Sequence, residues 1–373
     1  MKSIFTSRIL NAEPEIIYIK IWRPFLVKQH ALPLKEWITK GLTIALVLTL
    51  ISTAFIFFNS SSSAKNVMNW GRFNFLAFFF ACLALLGSWL IEAVRIYLIT
   101  AGLGERVPLR RIFGINLATM FSGNITPFYS GGVPTQIYLL CRNGIAPGKA
   151  SAIVTLRIIF STLVFTITVP FLLLFYHARF SMGIIHQATT VAIPIAFLAS
   201  AIMIGFIVNP KIAKLTFAFF IRKFQSFKFF QRLLPLLERL LEELESFHEA
   251  IQQFRRGINL YLVILCSFLY WALFFMIAPF VMFALGINIV NLFWEIILFQ
   301  FILVFIVSYL PIPGGSGVME LSFYSLLAFI PANLRAIFVL FWRFLSYYIS
   351  TFIGGVVLLR LIKQPAPPAE ALN

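Results

Sequence analysis

Long apolar runs alternate with short polar, basic segments along this chain of 373 residues. Leu42–Phe58, Phe73–Leu90 and Leu260–Leu285 are long enough to cross a hydrocarbon core of about 30 Å at about 1.5 Å per residue. The pattern predicts an all-α polytopic bundle of about six full spans, at about 38–58, 73–99, 149–176, 188–208, 258–285 and 336–361. Two further apolar regions, 112–141 and 292–330, are broken by proline and glycine and are read as re-entrant hairpins. Residues 1–37 form a basic N-terminal segment, and 362–373 read as a disordered Pro/Ala-rich tail. Between the halves 38–208 and 258–361, residues 209–257 place Leu233, Leu237, Leu240, Leu244, Phe247, Ile251 and Phe254 at helical spacing, with Glu238, Glu242, Glu245 and Glu249 between them. That segment predicts an amphipathic cytoplasmic helix.

Composition sharpens this picture. The chain is 60% hydrophobic and only 12% charged, with 44 Phe. A water-facing surface could not absorb so much apolar side chain, whereas lipid can. The net charge of +17 is explained by topology rather than by nucleic acid. With both termini inside, most cations fall on the cytoplasmic face, and only Lys65, Arg72, Arg179 and Arg335 fall outside. This holds when 112–141 enters and leaves from the inside and 292–330 from the outside. The predicted location is a prokaryotic inner membrane, with no cleaved signal peptide.

Chemistry is excluded as much as indicated. Asp is absent and all 13 acids are Glu, which removes Asp-dependent sugar-nucleotide, Walker B and EF-hand sites. The four His are scattered, and Cys82, Cys141 and Cys266 suggest neither disulfides nor zinc. No cofactor, metal or catalytic constellation is readable.

The two broken regions share an order. The first reads Thr126-Pro127-Phe128-Tyr129-Ser130-Gly131-Gly132-Val133-Pro134, then Tyr138, Pro147 and a span bearing Arg157. The second reads Pro311-Ile312-Pro313-Gly314-Gly315-Ser316-Gly317, then Glu320, Pro331 and a span bearing Arg343. Membrane direction is inverted between them, so the reading is an inverted repeat with its breaks at Gly131–Gly132 and Gly314–Gly315. Non-helical backbone at membrane depth survives only against protein or a polar cavity, and paired breaks point to a transport site between halves. For Arg157 and Arg343 two readings stand open: snorkelling to the headgroups, or contact with an anionic group in the bundle. Glu320 is placed to pair with Arg343, and Glu92 with Arg95 as a structural i,i+3 pair.

The stretches Pro127–Leu139 and Pro311–Glu320 resemble the two signature regions of the lysylphosphatidylglycerol synthase transmembrane domain family, over roughly residues 40–360. The resemblance implies handling of a lipid or lipid-linked headgroup across a prokaryotic plasma membrane. Lysyl transfer is not carried over, because no aminoacyl-transfer domain follows the last span in this sequence. The expected function is flippase-like movement of an anionic phospholipid or polyprenyl-phosphate glycolipid. The alternatives are an integral-membrane lipid-linked transferase and a non-transporting assembly or regulatory subunit. The expected path residues are Pro127, Gly131, Gly132, Pro134, Tyr138, Arg157, Pro311, Pro313, Gly314, Gly315, Gly317, Glu320 and Arg343. A homo-oligomer or an envelope-enzyme partner is left open.

Overall fold

The structure, a computed structural model, describes residues 73–176 and 259–363 except Tyr309 and Phe329, together with the isolated positions Thr43, Val47, Ile51, Ala54 and Leu198. The spans read at 38–58 and 188–208 lie outside the described residues apart from those positions, and the 209–257 helix lies wholly outside them.

Among the described residues the regular structure is helical. The helices are α1 (Phe75–Gly102), α2 (Leu109–Asn124), α3 (Gly132–Cys141), α4 (Pro147–Tyr176), α5 (Asn259–Ala284), α6 (Phe293–Ser308), α7 (Val318–Leu326), α8 (Ala332–Arg343) and α9 (Ser350–Lys363). A π-helical turn, Phe344–Ile349, joins α8 to α9. Among the described residues five stretches are long and apolar enough to cross a membrane: 75–102, 147–169, 260–284, 290–308 and 334–363. The fourth of these is the entering arm of the region read as the second hairpin.

Helix starts follow local chemistry. Asn74 caps α1, its Oδ1 accepting from the Ala77 amide at 3.0 Å. Pro108 and Pro331 immediately precede α2 and α8, where a missing N–H costs nothing.

The longest contact runs between α1 and α5, which are antiparallel. The Asn74 amide donates to the Ala284 carbonyl at one end, Gly87 faces Leu273 in the middle, and Arg95 reaches Ser267 toward the other. A constant shift along the chain carries Thr126 to Ile312, Pro127 to Pro313, Ser130 to Ser316, Gly131 to Gly317 and Arg157 to Arg343. The same shift brings α1, α2, α3 and α4 within about a turn of the starts of α5, α6, α7 and α8.

Each broken region doubles back. Arg111 near the start of α2 donates to Asn143, just beyond the end of α3, at 3.3 Å. Phe299 of α6 meets Phe323 of α7 edge to face at 5.2 Å between ring centroids. The two turns lie against one another in the middle of the bundle.

The core forms in three apolar clusters. One joins α1 and α2 to α5–α8 around Trp89, Phe323, Phe338 and Trp342. A second joins α1–α4 around Ile96, Ile112, Leu140 and Ile153. A third, aromatic, seals α4 against α5 and α6 through Phe275, Phe301 and neighbouring Phe165.

Candidate lipid headgroup site

The two breaks have one backbone geometry built from different residues. Phe128 and Tyr129 sit at φ 56° and 57°, and Gly314 and Gly315 at φ 57° and 62°. The first break therefore lies at Phe128–Tyr129 rather than at the glycine pair. Left-handed backbone costs a non-glycine residue about 1–2 kcal/mol, so it does not announce itself in sequence. Gly131 and Gly132 serve space instead: a Cβ would meet the Ser122 carbonyl at 2.7 Å and the Tyr129 ring at 2.7 Å, respectively. At Gly314 both demands coincide, because a Cβ would also overlap the Tyr347 ring at 2.1 Å.

Each turn is fastened at the equivalent amide by different chemistry. Gly131 N–H donates to Thr126 Oγ1 at 2.8 Å, and that hydroxyl donates to the Ser122 carbonyl at 2.8 Å. Gly317 N–H donates to Glu320 Oε2 at 2.6 Å, while Glu320 Oε1 accepts from Arg343 Nε at 2.8 Å. Arg343 Nη2 also donates to the Gly314 carbonyl at 3.1 Å, and its guanidinium lies 4.3 Å from the Tyr347 ring centroid. The pairing of Glu320 with Arg343 read from sequence is present, and it binds the second break to α8.

Glu92 and Arg95 also pair, Arg95 Nη2 lying 2.7 Å from the carboxylate. Their role is larger than an i,i+3 pair. Both are almost completely buried, Arg95 Nη1 reaches Ser161 at 2.9 Å and Ser267 at 3.2 Å, and Glu92 Oε1 accepts from Arg157 Nη1 at 3.2 Å. One carboxylate thus serves two arginines, from α1 and α4.

These groups surround one cavity of about 490 Å³. Glu92, Arg95 and Arg157 line it from one side, and Gly314, Gly315, Arg343 and Tyr347 from the other. Tyr129, Tyr270, Trp271 and Trp342 add aromatic walls, and Ser161, Thr162 and Ser308 add hydroxyls. Arg157 lies about 15 Å along α4 from Pro147, and Arg343 about 16 Å from Ala332. The π turn directly after Arg343 supplies Ser346 and Tyr347 to the wall, and π turns commonly mark functional positions.

Four of the residues read from sequence line the cavity: Arg157, Gly314, Gly315 and Arg343. Glu320 stands behind Arg343, and Pro127, Pro313 and Gly317 shape the turns. Gly131, Gly132, Pro134 and Pro311 do not line it, nor does Tyr138, which is half-exposed on α3. Sequence reasoning missed Glu92, Arg95, Tyr129, Tyr270 and Tyr347 as cavity residues. A charged pair in the middle of a span was the one signal available for the first two.

A family model for the lysylphosphatidylglycerol synthase TM region matches residues 37–354. The chain belongs to that family. The match includes both broken turns and every charged residue of the cavity. A UPF0104 membrane protein from Archaeoglobus fulgidus is 28% identical over 319 residues, covering 84% of this chain and 94% of the relative. No solved structure matches the chain. This member of the lysylphosphatidylglycerol synthase transmembrane family is therefore a multi-pass helical membrane protein, and among its described residues no group of His, Cys, Asp or Glu is arranged to hold a metal.

Proposed function

We propose that this chain carries the phosphate-bearing headgroup of a membrane lipid between leaflets through the cavity joining Arg157 and Arg343. One observation carries the reading: two equivalent arginines, one from each half of the chain, line the same cavity. At about 15 Å from its helix start, each reaches the middle of a hydrocarbon layer of about 30 Å. Burying a cation there costs about 2.5–3.5 kcal/mol on insertion scales. A snorkelling side chain would turn toward the nearer headgroups, whereas these two are held at the cavity by Glu92 and by Glu320 and Gly314.

The antiparallel α1–α5 contact and the constant shift between the halves support an inverted repeat with its site at the centre. The two halves are not in the same state. Between α2 and α9 the backbones touch, and a Cβ on Gly354 would lie 2.3 Å from the Leu117 carbonyl. The equivalent crevice, between α6 and α4, lines the cavity through Ile158, Thr162, Thr166 and Phe305. Exchange of these two crevices is the movement that presents a headgroup to alternate leaflets, in an inner membrane with both termini cytoplasmic.

Arginine suits the task because its planar fork matches phosphate and stays charged. The cavity's wall of Ile158, Phe165, Phe274 and Ile302 suits the acyl or prenyl chains that follow the headgroup. The test is reconstitution: in vesicles holding purified protein, fluorescent anionic phospholipid of the inner leaflet becomes reachable by an impermeant quencher, and protein-free vesicles keep it hidden. Equal protection in both preparations would contradict the reading.

A further inference from the structure

The five charged side chains at the cavity carry a formal sum. Arg95, Arg157 and Arg343 supply three guanidinium groups, and Glu92 and Glu320 two carboxylates, leaving one positive charge in excess. Every other formal charge on the described helices lies near an end, such as Lys149, Glu295, Arg335 and Arg360. The apolar runs 41–64 and 187–210 contain no charged residue at all. No further side chain of those runs can therefore balance the sum. Water-poor surroundings strengthen each charge interaction and make an uncompensated one costly.

Five polar atoms of the lining residues lack a hydrogen-bond partner among the described residues: Glu92 Oε2, Arg95 Nε, Arg157 Nε, Trp271 Nε1 and Ser346 Oγ, although Glu92 Oε2 lies 2.7 Å from Arg95 Nη2. Arg157 is held by an ion pair at 3.2 Å, with 12% of its side chain exposed, whereas Arg95 is sealed at 1%. Arg343, by contrast, is fixed by both Glu320 and Gly314. Arg157 is the guanidinium with capacity to receive an anion.

We infer that the cavity selects a lipid phosphodiester bearing one net negative charge, an inference that rests on the headgroup reading above. A phosphodiester carries that single charge and completes the sum to zero. A phosphomonoester carries about −1.5 to −2, and a prenyl diphosphate carries more, so each overshoots. A zwitterionic headgroup leaves the excess unbalanced. The class includes singly anionic glycerophospholipids such as phosphatidylglycerol and prenyl monophosphate sugars, and it excludes diphosphate-linked carriers.

The experiment uses the full chain in a neutral detergent at low salt, with fluorescence of Trp271 and Trp342 reporting occupancy. Four probes are titrated: dihexanoylphosphatidylglycerol, a prenyl phosphoglucose, farnesyl diphosphate and dihexanoylphosphatidylcholine. Both diesters are expected to bind about tenfold or more tightly than the diphosphate and the zwitterion, and the tighter diester identifies the lipid source. Glu92→Gln raises the sum to two positive charges and is expected to shift preference toward farnesyl diphosphate. Arg95→Gln lowers it to zero and is expected to shift preference toward phosphatidylcholine. Glu320→Gln repeats the first change at the other ion pair, should Glu92→Gln fold poorly. Tighter binding of farnesyl diphosphate by the unaltered protein overturns the inference. So does a preference order unchanged across the charge variants, or no saturable binding of any probe. If the binding order holds while reconstituted vesicles show no lipid movement, the charge selection stands and the transport reading falls.

Discussion

Arg157 donates to Glu92 Oε1 at 3.2 Å, across 65 residues of sequence, onto the same oxygen that accepts from Arg95 at 2.7 Å. This shared carboxylate makes the α1–α4 side of the cavity one electrostatic unit. Removing it strands two buried guanidiniums, and removing one partner of a buried pair costs about 3–5 kcal/mol. Arg157 is the more loosely held of the two. Glu92→Ala and Arg95→Ala are therefore expected to lower the thermal unfolding midpoint in detergent by several degrees more than Arg157→Ala. Equal losses in all three would show that Arg157 is structural.

The turn geometry makes a second prediction. Gly314→Ala places a methyl into the Tyr347 ring and strains a left-handed backbone, so it is expected to destabilise by more than about 1–2 kcal/mol. Phe128→Gly relieves the same backbone strain at the equivalent position and is expected to leave stability unchanged or raise it by up to about 1 kcal/mol. Melting curves of both variants check the pair. A destabilising Phe128→Gly would mean that the exposed ring matters more than the backbone.

Much of this architecture was legible in the sequence. Spans read from apolar length alone coincide with α1, α4 and α5, and the proline–glycine stretches mark both turns. Arg343 with Glu320 stood out because a break, an acid and a cation fell in order from the second hairpin into the span that follows it. The function of Glu92 was not legible, since i,i+3 spacing to Arg95 already accounts for both charges locally. Its contact with Arg157 depends on how α1 packs on α4, which no local pattern encodes. The left-handed Phe128 and Tyr129 were hidden by their own residue type, because the adjacent Gly131–Gly132 offered a more conventional break. Gly354 lies inside the span read at 336–361, where no local pattern marks it, and the α2–α9 contact explains it.

That contact supplies a third prediction. Gly354→Ala sets a methyl against the Leu117 backbone carbonyl at 2.3 Å, which cannot rotate away. Gly355→Ala meets the edge of the Phe121 ring at 3.0 Å, which can. Gly354→Ala is expected to separate α2 from α9, slow lipid movement and increase maleimide labelling of a cysteine at Gly114, which faces Val357 and Leu361 across the same seam. Gly355→Ala is expected to change neither by more than about twofold, as for a tolerated core adjustment. Identical behaviour of the two variants would count against a tight seam.

Topology is testable without transport. In a background with Cys82, Cys141 and Cys266 replaced, cysteines at Ser62, Phe180 and Val290 are expected to react with an impermeant maleimide from outside. Cysteines at Glu105, Ala146 and Gln225 are expected to react only after permeabilisation. Outside labelling at Ala146 would remove the inward hairpin and with it the inverted repeat.

The central claim is that Arg157 and Arg343 grip a phosphate rather than anchor helices at the headgroups, and reconstituted lipid movement by their variants tests it most directly. Rates are normalised to inserted, folded protein. The account predicts that Arg157→Ala and Arg343→Ala each reduce movement of anionic phospholipid at least about 100-fold, matching loss of a charge-assisted hydrogen bond of about 3 kcal/mol. Arg157→Lys and Arg343→Lys are expected to recover only part of it, because lysine keeps the charge and loses the fork. Unaltered rates in both alanine variants would contradict the account.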